Sequence, residues 1–461
     1  MKKTFSPFFA SLSACNPPVA GNIADRLRQG ASHAMAVIMF FSSAAGFCAE
    51  TGGSSNISGA VKTNVVFESR ALTLNECYKL ALKQSEYIAI DYEKIREAEA
   101  HFLQALGTLL PQVSFSRQDT RNEYSDMNPT YNKSYEQKFT FTQALFTGFK
   151  EFAGMAGSRL ERKQREYEKL RAEQLLFIDV ADAFYLLLVE QEDIEALETI
   201  ENAFIDRIDE LKTREKIGKS RTSEVVMTET QLYTLEDQIE SVKSKEQVAR
   251  ELLAFLIGGP VNEIIEPEYD FSLKPESAYQ AEAYSRPDVR AAHFAWQADL
   301  KGVMAARSGF YPQVNFEGDY YTHRSTTPTD SSWGAMLTIY VPIFEGTITY
   351  GQVKQAVAIA RESELLFQRA RRVAVREIHD AYVYANSDIL RVGILEKALK
   401  SAEKNYDLQR QDYRLSVVNN LDVLAALQSL EDVRRSFIHV SNERKRFYWQ
   451  LLVAAGEIDL E

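Results

Sequence analysis

Leu110-Pro111-Gln112-Val113-Ser114-Phe115 returns 201 positions later as Tyr311-Pro312-Gln313-Val314-Asn315-Phe316. Downstream of the phrase, 141–148 (FTQALFTG) is echoed by 339–346 (IYVPIFEG), with Phe146 on Phe344 and Gly148 on Gly346 at a shift of 198. The same shift of 198 carries Ile217-Gly218 onto Leu415-Ser416 and Glu224-Val225 onto Asp422-Val423. One unit of about two hundred residues is therefore written twice, a period far beyond the 20–50 residues of stacked arrays, and it predicts a pseudo-symmetric protomer.

Around the phrase the periodicity changes. Before it, Thr73-Leu74-Asn75-Glu76 has the form of a capping box and predicts a helix from Thr73 to Leu109, ended by Pro111. After it, Val113 and Phe115 alternate with Gln112 and Ser114, and a second strand sets Tyr135, Gln137, Phe139 and Phe141 against Glu136, Lys138, Thr140 and Thr142. The second copy repeats the pattern with Val314, Phe316, Gly318 and Tyr320, and then Trp333, Ala335, Leu337, Ile339 and Val341. Strands of about ten residues with one apolar and one polar face suit either a half-buried hairpin or the wall of a membrane barrel. Four strands are too few to close such a barrel alone, since the smallest have about eight.

The stretches 158–217 and 352–416 contain no proline and almost no glycine. A rod from Gly148 to Gly218 would reach about 105 Å at ~1.5 Å per residue. Leu197, Phe204 and Leu211, with Ile208 between, and Leu395, Leu399, Ala402, Tyr406 and Tyr413 give coiled-coil spacing. Each rod turns back near Gly218 or Ser416 into a shorter partner helix. The expected organisation is a signal peptide at 1–49, a flexible N-terminus at 50–70, and a first repeat at 71–259 with strand hairpin 112–145 and helical hairpin 147–258. A linker at 260–285 leads to a second repeat at 286–457, with strand hairpin 312–342 and helical hairpin 344–455.

Composition narrows the function. The chain has 461 residues, 45% hydrophobic, with a net charge of −12. A mean hydropathy of −0.28 excludes a polytopic helical membrane protein, and the acidic balance argues against a nucleic-acid partner. The first fifty residues combine Lys2, Lys3, Arg26 and Arg28 with an apolar run at 34–41 and small residues at 42–49, the pattern of an export signal. Leu12-Ser13-Ala14-Cys15 also resembles a lipoprotein box. Cleavage after 49 would leave a net charge of −15 and Cys77 as the one cysteine, which suits an oxidising compartment. His33, His101, His293, His323, His379 and His439 share no i, i+4 spacing, and no glycine-rich phosphate loop or Cys/His cluster is present. No catalytic, cofactor or metal site is expected.

LPQVSF and YPQVNF, together with LTLNECYKLAL at 72–82, RPDVRAA at 286–292, VPIFEG at 341–346 and LDVLAA at 421–426, resemble the TolC-type outer-membrane efflux proteins in the family's own order, over 71–457. The resemblance implies a mainly α fold with a small β part: a homotrimer whose long coiled-coil helical hairpins form a periplasmic α-barrel and whose four strands per protomer close one shared transmembrane β-barrel. It implies a passive exit duct in the outer membrane of a Gram-negative bacterium, in contact with outer-membrane lipid. The implied partners are a periplasmic adaptor and an inner-membrane transporter of RND, ABC or MFS type, as in tripartite efflux or type I secretion. Residue by residue, it places Glu224 and Asp422 at the pore constriction, where six carboxylates from three chains would attract cations and filter anions. On the residues alone, both acids also suit the first turn of a helix, with Thr222 and Asn420 as caps. Ala425 stands where the family has a second acid. The turns Ile217-Gly218-Lys219 and Leu415-Ser416-Val417 match the adaptor-docking tips, with Ser416 in place of a glycine. A periplasmic coiled-coil adaptor or scaffold is the rival architecture, but it has one helical hairpin and no duplicated apolar strands.

Overall fold

The computed structural model describes residues 71–124, 130–324 and 332–458; the expected signal peptide, the flexible N-terminus and Cys15 lie outside them. The described residues form one compact unit. It opens with α1 (Leu74–Gln84), begun by the expected capping box: the Thr73 backbone N–H donates to Glu76 Oε2 at 2.9 Å, and the Glu76 N–H donates to Thr73 Oγ1 at 3.4 Å. Leu74, Cys77, Tyr78 and Ala81 form its buried face. Burial, reinforced by Glu76, pushes the Cys77 thiol up to about 12, so this cysteine behaves as a packed apolar group.

The expected single helix from Thr73 to Leu109 is two helices. Ser85 is extended (φ −67°, ψ 114°), ends α1 and starts α2 (Glu86–Gly107), its hydroxyl accepting the Ile88 N–H at 3.5 Å. A serine that satisfies one of the orphan donors of a helix start makes a break inexpensive there.

The strands β1 (Gln112–Tyr124), β2 (Thr130–Phe146), β3 (Gln313–Arg324) and β4 (Trp333–Tyr340) form one antiparallel sheet in sequence order. Phe115 lies opposite Phe139, Phe139 opposite Tyr320, and Tyr320 opposite Trp333. Because strand partners share a face, this register gathers Val113, Phe115, Phe139, Phe141, Phe316, Tyr320, Leu337 and Ile339 on one side. The rings of Phe115 and Phe139 are 5.1 Å apart and those of Phe141 and Phe316 6.0 Å. Most of these side chains stay exposed, Val113 at 66% and Ile339 at 63%. The opposite face is polar and internally bonded: Lys138 Nζ donates to Asp319 Oδ2 at 2.9 Å and the Thr140 hydroxyl to Asp319 Oδ1 at 2.6 Å. That is the reverse of a soluble hairpin, which turns its apolar side inward. Among the described residues, β1 and β4 each pair on one edge only.

Each hairpin feeds a rod: α3 (Lys150–Lys216) and α7 (Ile348–Arg414), each 67 residues and so about 100 Å long at ~1.5 Å per residue. The strand-to-rod corners are left-handed at Gly148 (φ +67°), Phe149 (+66°), Gly346 (+59°) and Thr347 (+73°). A Cβ on Gly148 would sit 2.7 Å from the Ser308 carbonyl oxygen, so this glycine is required by space as well as by φ. The rods return as α4 (Thr222–Ile257) and α8 (Asn420–Ala455). Between the copies, 260–285 carries the short α5 (Glu276–Glu282), and Leu72 bridges Ile264 in parallel. Next, α6 (Pro287–Arg307) packs on both rods. The four long helices lie side by side in the order α4, α3, α8, α7. Leu197, Phe204, Ile208 and Leu211 are buried with Tyr406, Tyr413, Leu424 and Leu427 in one core along them. Among the described residues no helix is long and apolar enough to cross a membrane.

Candidate constriction and docking turns at the rod ends

The two rod ends have the same backbone. Lys219 N–H donates to the Arg214 carbonyl at 2.9 Å and Gly218 N–H to the Glu215 carbonyl at 2.8 Å; Val417 N–H donates to the Asp412 carbonyl at 2.9 Å and Ser416 N–H to the Tyr413 carbonyl at 3.0 Å. Each pair is a Schellman motif, whose pivot needs a left-handed residue, and Gly218 (φ +70°) and Ser416 (φ +60°) both supply it. Ser416 keeps the glycine geometry at the cost of left-handed strain, about 1 kcal/mol for a residue with a Cβ. Ile217, Leu415 and Val417 stand out from these turns at 63%, 74% and 71% exposure, although a turn that only closed a coiled coil would have no need of apolar tips.

Glu224 and Asp422 sit in the first turns of α4 and α8. Glu224 is half-buried and its Oε2 accepts the Ser220 hydroxyl at 2.5 Å. Asp422 is exposed, and its Oδ2 accepts the Asn419 N–H at 3.0 Å while Asn419 Oδ1 accepts the Asp422 N–H at 3.1 Å. Each carboxylate thus serves its own helix start, where the helix dipole favours negative charge. Among the described residues no hydrogen bond or ion pair joins the two. The expected caps are corrected by one residue: the N-caps are Arg221 and Asn419, not Thr222 and Asn420. Thr222 donates to Glu215 Oε1 at 2.5 Å, and Asn420 is turned into the core, 2% exposed.

That inward asparagine belongs to a network that the sequence reading missed. Arg207, 3% exposed, donates from Nε and Nη2 to Asn420 Oδ1, both at 2.9 Å, and from Nη1 to Glu210 Oε2 at 2.9 Å. Asn420 Nδ2 donates to Thr228 Oγ1 at 3.2 Å, and the Thr228 hydroxyl donates to the Glu224 carbonyl at 2.8 Å. The Tyr413 ring is covered by the guanidinium groups of Arg207 at 3.6 Å and Arg214 at 4.4 Å. Burial lowers the Arg207 pKa against the opposing pull of Glu210 and Tyr413. The two copies are thereby tied at the level of the candidate acids. The signal was present: Arg207 occupies the Phe204, Ile208, Leu211 stripe, where an arginine needs a buried partner.

An exposed apolar sheet joined to paired 67-residue rods matches proteins already known. The sequence fits the family described as outer membrane efflux protein over residues 77–259 and 278–457. The chain belongs to the outer membrane efflux protein family. This efflux protein is 22% identical over 404 residues to the outer membrane protein TolC of Salmonella enteritidis, covering 83% of this chain and 79% of that protein. It is 24% identical to the pyoverdine export outer membrane protein OpmQ of Pseudomonas aeruginosa, covering 77% and 79%. The fold is shared with the outer membrane protein VceC of Vibrio cholerae, at a TM-score of 0.74 with 21% identity over 83% of this chain and 96% of that one. It is shared also with CusC, at 0.77 with 17% identity over 83% and 91%. The efflux protein is therefore an exit duct in the outer membrane of a Gram-negative cell, with its long helices on the periplasmic side. Its family works as a passive channel.

Proposed function

We propose that three copies of this chain form the outer-membrane conduit of a tripartite export system. A periplasmic adaptor meets the conduit at the Ile217–Lys219 and Leu415–Val417 turns, and an inner-membrane transporter supplies the energy. The observation that carries this reading is the sheet, which has an exposed apolar face, a bonded polar face and two outer edges unpaired among the described residues. Copies joined β4 to β1 leave no free edge, and three copies give twelve strands. The exposed apolar tips at Ile217, Leu415 and Val417 support docking there, because small apolar projections suit burial in a partner's groove. Domain limits follow the same division, with two repeats at 71–259 and 286–457 on either side of the linker.

The carboxylates of Glu224 and Asp422 are proposed to ring the narrowest point of the conduit, six in all. Their position beside the turns and the exposure of Asp422 support this reading, and their hydrogen bonds at the helix starts are compatible with it. The test is single-channel conductance in planar bilayers, wild type against Glu224→Ala/Asp422→Ala. The expected result is a small cation-selective conductance that grows and loses selectivity in the double variant. An unchanged conductance would return both acids to the role of helix-start residues, and the absence of any channel from a folded oligomer would overturn the conduit.

A further inference from the structure

The duplication holds at the level of single residues in the long helices. Adding 198 to the bounds of α3 (Lys150–Lys216) gives those of α7 (Ile348–Arg414), and adding it to α4 (Thr222–Ile257) gives α8 (Asn420–Ala455). Every internal contact of the first copy's rod with the second copy's return helix therefore has a twin position on α7 and α4. Within the chain α8 packs on α3, but α4 and α7 are not packed on each other. Their matching faces are open. Val383 and Ile394 on α7 are 49% and 66% exposed, whereas their twins Tyr185 and Ala196 on α3 are 0% and 7%. On α4, Val226 and Phe255 are 54% and 79% exposed, whereas their twins Leu424 and Val453 on α8 are 1% and 0%.

The internal seam is held by an ion pair on a buried carboxylate. Arg435 of α8 clasps Asp193 of α3, Nε donating to Oδ1 at 2.9 Å and Nη2 to Oδ2 at 2.8 Å, with Asp193 1% exposed. Shifted by 198, Asp193 becomes Arg391 on α7 and Arg435 becomes Asp237 on α4. Both members have changed sign. The two twins are complementary to each other, and each would repel the residue type that its counterpart attracts. Asp237 is exposed, and the Arg391 side chain is 49% exposed. Arg391 uses Nη1 for Asp388 at 2.7 Å and Glu443 at 3.2 Å, so the rest of its five-donor fork is open to a further carboxylate. A second contact repeats without the sign change. Arg171 of α3 donates from Nη1 to the Val453 carbonyl at the end of α8, at 3.1 Å; its twin on α7 is again an arginine, the exposed Arg369, and the twin of Val453 is Phe255 at the end of α4.

We propose that α7 of one chain docks on α4 of a second copy of this chain in the register of the internal α3/α8 seam, with Arg391 pairing with Asp237 of the partner subunit and Arg369 capping the end of the partner's α4. The exchanged charges make the seam between chains distinct from the seam within a chain, so that α4 cannot replace α8 on its own α3 without setting Asp237 against Asp193. Specificity of this kind comes from like-charge repulsion as well as attraction. The proposal rests on the oligomeric reading above.

The test uses the full-length protein extracted from outer membranes in mild detergent, with heat dissociation of the oligomer read on gels. Asp237→Arg and Arg391→Asp are each expected to speed dissociation about tenfold or more, the scale of a close interfacial charge pair, and together to return it toward wild type. Glu240→Arg, one turn along the exposed face, is expected to change little. In parallel, the Asp237→Cys/Arg391→Cys variant with a short bismaleimide is expected to give covalent dimers and trimers, and either single cysteine none. An oligomeric wild type whose charge-swapped double variant dissociates as fast as the singles, or whose cysteines do not link, would overturn the pairing while keeping the oligomer. A wild type that is monomeric in the native membrane would overturn the oligomeric reading itself.

Discussion

The two helical hairpins are copies of one another in length, in turn geometry and in their left-handed corners, yet α3 buries twenty side chains and α7 nine. The difference does not come from apolar content, since α7 carries Val357, Leu365, Leu366, Val383, Leu390 and Ile394 on its exposed surface. It comes from position. In the order α4, α3, α8, α7 the first rod has a long neighbour on each side, and the second has α8 on one side and an open face on the other. Helices of equal length and like pattern placed unequally thus separate what holds one protomer together from what is left for a partner. The tip network shows the same contrast, for Arg207 on α3 is buried against Asn420 while its twin Asn405 on α7 is exposed.

The largest effect that would break this comparison is at that tip. Arg207→Ala leaves Asn420 Oδ1 without its donor and removes the nearer of the two guanidinium groups over Tyr413, and is expected to destabilise by about 2–4 kcal/mol, whereas Asn405→Ala should stay within about 0.5 kcal/mol. Guanidinium titration followed by circular dichroism checks both, with hydrogen exchange at 414–424 localising the loss. A similar cost for the two would mean that the buried network adds nothing beyond helix propensity.

The turns sharpen the comparison with a smaller effect of opposite sign. Relieving the left-handed strain at Ser416 by Ser416→Gly is expected to stabilise by about 1 kcal/mol, and Gly218→Ser to destabilise by about as much. Thermal melts of both variants measure this, and equal shifts in one direction would show that the two Schellman turns are not equivalent.

The smallest effect concerns pH. Burial raises the pKa of Glu192 and Glu190 on α3, opposed at Glu192 by the Asn442 amide and at Glu190 by Lys245. For a carboxyl raised in the folded state, the unfolded chain binds fewer protons between the ordinary and the raised value. Stability therefore falls as pH rises through that window and is recovered as pH drops. Melting temperature plotted against pH should have a shallower slope in this window for Glu192→Gln, which cannot titrate, than for wild type. On α7 the twin of Glu192 is Leu390, 62% exposed, so the α7 face contributes no such slope at that position.

Much of this was legible in one dimension. The repeated LPQVSF/YPQVNF phrase, the change of period at Gln112 and the absence of helix breakers before Gly218 announce duplicated strand hairpins and long rods, because periodicity and backbone permissiveness are properties of adjacent residues. The break at Ser85 was hidden because it is marked by a single side-chain hydrogen bond, the cap at Asn419 because neighbouring Asn420 is an equally good capping type, and the cap at Arg221 because its side chain makes no capping bond while neighbouring Thr222 is the better capping type. The Arg207, Asn420, Thr228 network joins residues 213 and 192 positions apart, a separation that no local pattern encodes.

By itself the sequence determined the strand hairpins, the long rods and their twofold repetition, since these follow from propensity, alternation and turn chemistry. Only the tertiary structure decided which copy lies inside the protomer and which presents an open face. A helix cannot specify from its own residues which of two similar stripes will be covered, because burial depends on what the rest of the chain brings beside it.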